Sequence, residues 1–152
     1  MLYVECYPDE VLARTLGVPR REVKHEHGKG NITNRLSKLP SGIGMLDEDA
    51  PGFQPAALRN YRRVKQTGKL VLMEHANSPA KRLVLVCPRL EEWLYERAAA
   101  NGVKPIDYGL PETAARLHSI PRYEQKPKFV EFLQRLHELD PEVKCLKEWI
   151  SK

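Results

Sequence analysis

With 152 residues, 41% of them hydrophobic and 30% charged, the chain can bury one core unaided and carry a modest appendage. Its three cysteines, an odd number, describe no disulfide framework. Together with a start that lacks a secretory signal pattern, they predict a reducing, cytoplasmic location. The longest apolar runs, 70–73 and 83–87, fall far short of the roughly 20 residues of a membrane span, so no membrane partner is expected. The net charge of +5 is unevenly placed: residues 1–53 hold 7 Lys+Arg against 8 Asp+Glu, leaving 18 against 12 for the rest, or −1 and +6. Such a division suits a metal site beside a polyanion-binding surface, although mild basicity is also ordinary among small proteins.

In chain order, residues 2–6 read as a short, apolar strand buried on both faces. Pro8-Asp9-Glu10 starts a helix with Val11, Leu12 and Leu16 on one face, and Gly17 stops it. A weaker strand at 21–27 leads through Gly28-Lys29-Gly30-Asn31 into a short helix carrying Ile32, Leu36 and Leu39. A third strand at 43–46 runs into Asp47-Glu48-Asp49-Ala50-Pro51-Gly52, which no strand continues. The spacing of Leu58, Tyr61 and Val64 behind Pro55 predicts a helix over 54–66. Strands are expected at 69–74 and 82–87, close enough to pair as a hairpin, then a helix over 88–100 closed by Asn101-Gly102. Residues 103–127 read as a loop-rich connector with one helical stretch near 112–118, and helices at 127–139 and from Asp140-Pro141 to the end complete the chain. Alternating strands and helices imply an α/β fold, a mostly parallel sheet of four to five strands flanked by helices, over residues 1–102. Residues 103–152 form a C-terminal helical appendage packed on the same domain.

Ligands of open parallel sheets bind beyond the carboxyl ends of the strands. If the first and third strands are neighbours, Glu5 at one exit meets Asp47 and Asp49 at the other. On an extended backbone the two Asp, two apart, point the same way. Such carboxylates suit Mg²⁺, which takes hard oxygen ligands and leaves positions to water and phosphate; Mn²⁺ is an alternative. A plain polar turn, the commoner fate of such a string, also accounts for Asp47–Gly52. Glu5 tips the balance, because an acid closing an apolar strand is costly to bury without a partner or a metal.

A Glu at the end of the first strand and Asp-x-Asp-x-x-Gly after a third resembles the topoisomerase-primase (TOPRIM) family, over roughly residues 1–100. The resemblance implies a TOPRIM-like fold, with Glu5 as general acid or base and Asp47 and Asp49 as metal ligands. Cys6 stands where that family has Gly after the Glu. Pro88-Arg89-Leu90-Glu91-Glu92-Trp93-Leu94 looks like the further acidic motif of nuclease-type members, implying a Glu of this pair, Glu91 in preference to Glu92, as a ligand of a second metal; acids in a helix's first turn also favour its dipole without any metal.

Arg59, Arg62 and Arg63, at i, i+3 and i+4 of the helix predicted after the acidic loop, form a cationic stripe suited either to a nucleic-acid backbone or to a solvated face. Lys29, between two glycines at a helix start, is a secondary phosphate contact without full P-loop spacing. His25-x-His27 lacks the further ligands of a structural zinc site, and the cysteines and tryptophans read as core. The resulting expectation is a small Mg²⁺-dependent nuclease acting on DNA or RNA, with a second protein subunit as a further partner. The alternatives are a non-catalytic nucleic-acid or partner-binding module and a nucleotide phosphohydrolase or phosphotransferase using Gly28–Gly30.

Overall fold

A computed structural model describes residues 1–49 and 54–151. Its strands are β1 (Leu2–Val4), β2 (Val23–His25), β3 (Gly42–Asp47), β4 (Tyr61–Thr67), β5 (Leu70–His75) and β6 (Ser78–Val86). Its α-helices are α1 (Tyr7–Thr15), α2 (Lys29–Ser37), α3 (Leu90–Ala100), α4 (Ala114–Ser119), α5 (Pro127–Leu139) and α6 (Pro141–Ile150). One six-stranded sheet runs in the order β2-β1-β3-β6-β5-β4. β2, β1, β3 and β6 pair parallel, whereas β5 pairs antiparallel with both β6 and β4, so the sheet is mixed.

Period-two alternation sorts the strand side chains onto two faces. Leu2, Val4, Ile43, Met45, Leu70, Leu72, Val84 and Val86 join one buried cluster with α1, α3, α4, α5 and α6. Tyr3, Leu46, Val71, Met73, Leu83 and Leu85 face the other way, onto Ile32 and Leu36 of α2. The thin face needs a close approach at Gly44, where a Cβ would come within 2.6 Å of Ile32 Cγ2 and 2.7 Å of Leu83 Cδ2. Phe129, Phe132, Leu133, Val143, Leu146 and Ile150 sit in the first cluster, so the C-terminal helices share a core with the sheet. Among the described residues no helix is long and apolar enough to cross a membrane.

The helix expected over 54–66 is a correction. Ala56–Asn60 form one 3-10 turn and Tyr61–Thr67 are the edge strand β4, which is why six strands replace four or five. Apolar residues every third position mimicked a helix, but β4 is largely exposed and gains its backbone partners from β5, a tertiary interaction that local spacing does not register. The edge is blunted by Arg62, Arg63 and Lys65 and by a bulge between Arg63 and Lys65.

Candidate functional site

β1 and β3 lie side by side and parallel, with Val4 level with Met45, so their carboxyl ends open onto the same edge. Glu5 Oε1 accepts a 2.7 Å hydrogen bond from the Asp47 backbone N–H. Asp47, the last residue of β3, accepts through Oδ1 from the Leu90 N–H at 3.1 Å. That amide opens α3 and would otherwise be an orphan donor of the helix start. From α1, Asp9 folds back so that Oδ2 accepts from Cys6 N–H at 3.3 Å and from Cys6 Sγ–H at 3.1 Å. Asp9 is 1% exposed, and its Oδ1 has no hydrogen-bond partner. Glu91, buried in the first turn of α3, is held from the far side of the chain: His118 Nδ1 lies 3.1 Å from Oε1 and the Tyr123 hydroxyl donates to Oε2 at 3.0 Å.

The cluster holds more negative charge than its surroundings balance. Burial raises Asp47 well above the ordinary carboxylate range, and the fields of Asp9, Glu5 and Glu91 raise it further. Asp9 is raised by burial first and then by Glu5 and Glu91, against the hydrogen bonds from Cys6. Glu5 is also raised by burial, with the Asp47 N–H and Lys29 pulling it back. Burial and the neighbouring Asp9 push the Cys6 thiol up, which keeps it protonated and unreactive. These carboxylates supply the hard oxygens a divalent cation prefers. Among the described residues, however, no group of three His, Cys, Asp or Glu side chains is gathered to hold a metal ion. One oxygen each of Glu5 and Asp47, and both of Glu91, are engaged in hydrogen bonds.

Asp49 departs from the extended geometry expected of an Asp-x-Asp clamp. Its φ of 48° turns the backbone out of line, its N–H donates to the Pro88 carbonyl at 2.8 Å, and its carboxylate pairs with Arg89 at 3.3 Å. It still faces Glu5 closely enough to contribute to that group's raised pKa. Lys29 is buried, and its Nζ donates to the Glu48 carbonyl at 2.8 Å, which ties α2 to the acidic loop. Ala50, Pro51 and Gly52, the end of the motif, lie outside the described residues. The helical stripe of Arg59, Arg62 and Arg63 is corrected with its helix: Arg59 sits in the 3-10 turn, and Arg62 and Arg63, adjacent on β4, project to opposite faces.

Sequence reading missed three members of the cluster. Asp9 was legible only as a helix starter; the signal was its place four residues after Glu5, at the third position of the helix, where a carboxylate reaches back to the cap amide. His118 and Tyr123 carried no local signal, because their roles depend on where residues 103–127 pack. No family model, curated protein or solved structure matches this chain.

Proposed function

We propose that this protein is a Mg²⁺-dependent phosphodiester hydrolase acting on nucleic acid, with a TOPRIM-like arrangement of acids. The observation that carries the reading is the crowding of Glu5, Asp9 and Asp47 at one strand edge, with Asp9 Oδ1 buried and without a partner. Such a cluster is costly in isolation and is relieved by a divalent cation. Mg²⁺ needs only one or two carboxylates with water in its remaining positions, so the free oxygens of Asp47 and Asp9 suffice as anchors, with Asp49 beside them. The ion would supply charge neutralisation at a phosphoryl group and a more acidic water. Glu5, raised by burial above the ordinary carboxylate range and hydrogen-bonded to the Asp47 N–H, serves as the general acid or base. Glu91 stands behind Asp47, fixed by His118 and Tyr123, and adds to the field that draws a cation in. A polymeric nucleic acid is favoured by the net +6 of residues 54–152.

The test is incubation with single- and double-stranded DNA and RNA in Mg²⁺, Mn²⁺ or EDTA, for the wild type and Asp47→Asn. Cleavage that needs metal and disappears in the variant is expected. No cleavage with any metal refutes the hydrolase. The lack of a ready three-ligand group among the described residues favours one other reading, a binding module without catalysis, which the same experiment identifies as binding without turnover.

A further inference from the structure

Three aromatic rings lie in series, in tilted contact, on the β2 side of the acidic edge. Tyr7, the first residue of α1, lies 4.2 Å from His25, the last residue of β2, at an interplanar angle of 41°. His25 in turn lies 4.0 Å from His27 at 55°. The stack is not core: Tyr7 is 54% exposed, and none of the three rings belongs to either buried cluster. Its position is fixed by the sheet. His25 is level with Val4 across the β1–β2 pair, and Val4 is level with Met45 across β1–β3, so the rings flank Glu5 from the side opposite Asp47. His25 lies one strand from Glu5 and two from Asp47, about 10 Å across the backbones in the second case.

We infer that the Tyr7–His25–His27 stack is a platform for an unpaired nucleobase, so the nucleic acid bound here is single-stranded beside the acidic edge. This rests on the proposed hydrolase reading and narrows its substrate. A duplex hides its base faces in its own stack, whereas single strands present them to Tyr and His rings, and any base suffices because each has a π-face. A strand whose phosphate lies over the carboxylates has its neighbouring base within reach of the outer Tyr7 face. The rings supply affinity without sequence choice. Neither DNA nor RNA is preferred by stacking alone, since the sugar takes no part in it.

Fluorescence anisotropy with labelled DNA and RNA strands, single-stranded and duplex, in EDTA and in Mg²⁺, tests the platform. Tyr7→Ala is expected to weaken single-strand binding about tenfold and Tyr7→Trp to restore it, a readout that misfolding does not produce. A strand with abasic sites is expected to bind the wild type and Tyr7→Ala alike. Equal affinity of Tyr7→Ala and wild type for intact strands, preference for duplex, or binding of no strand overturns the inference. Metal-dependent cleavage together with Tyr7-independent binding removes the platform alone. Tyr7-dependent binding with no cleavage under any metal removes the hydrolase alone.

Discussion

Replacing Asp47 by Asn removes a carboxyl that the metal-free fold must either keep protonated or hold as an unfavourable charge, while keeping the shape of the side chain and an oxygen to accept from the Leu90 N–H. The charged form is one that burial and three neighbouring acids all disfavour. Each pKa unit of such disfavour corresponds to about 1.4 kcal/mol, so relief of one to two units stabilises the metal-free protein by about 1.4–3 kcal/mol. For a chain of this size that raises the melting temperature by roughly 3–10 °C. Magnesium acts in the opposite direction on the comparison. A site filled at about 100 times its dissociation constant stabilises the wild type by about 2.7 kcal/mol, and the variant gains little. Thermal melts of both proteins in EDTA and in Mg²⁺ near pH 8 should therefore converge or cross: Asp47→Asn is more stable without metal, and only the wild type responds to it. A variant less stable than wild type in EDTA would refute the claim that the cluster is overcharged. Equal Mg²⁺ responses would refute Asp47 as a ligand.

The same carboxylates set a pH dependence. Asp47 and Asp9 are raised from an ordinary value of 3.8, so the fold favours their protonated forms; that contribution is full below 3.8 and is lost as pH rises through the raised values. The melting temperature in EDTA should fall as pH climbs from mildly acidic to mildly alkaline, with a shallower fall in Asp47→Asn. Tyr123→Phe removes the donor to Glu91 Oε2 inside the core and should lower stability by about 1–3 kcal/mol, read as a reduced urea midpoint at unchanged slope. Gly68→Ala should cost about 2–4 kcal/mol, because Gly68 has φ +56° and a Cβ there lands on the Glu142 carboxylate. That carboxylate accepts from Trp93 Nε1–H at 2.8 Å and pairs with Arg97 at 3.5 Å. Gly102→Ala, at a similar φ of +67° with open space around it, is the control and should cost only the backbone share, about 1–2 kcal/mol.

Elements whose hydrophobic period and end signals agree were legible in one dimension. α1 behind Pro8 and before Gly17, and α5 and α6 with their prolines at the start, required no knowledge of neighbours. The hairpin of β5 and β6 followed from two apolar runs with a short gap. Glu5 and Asp47 stood out as acids terminating apolar strands. β4 did not, because its partner rather than its own residues makes it a strand. Arg62 and Arg63 share a stripe only on the helix that their spacing predicts, and the pleat of β4 pulls them apart.

The sequence by itself determined that two apolar strands end in acids, since that is written in which residues follow the hydrophobic runs. Only the tertiary structure decided what those acids meet: Asp9 returned by α1, the start of α3 capping Asp47, and His118 and Tyr123 brought to Glu91 from more than 25 residues away. The physical reason is range. Periodicity and capping act within a few residues, whereas the pKa of a carboxylate is set by whatever the fold packs within a few ångströms of it.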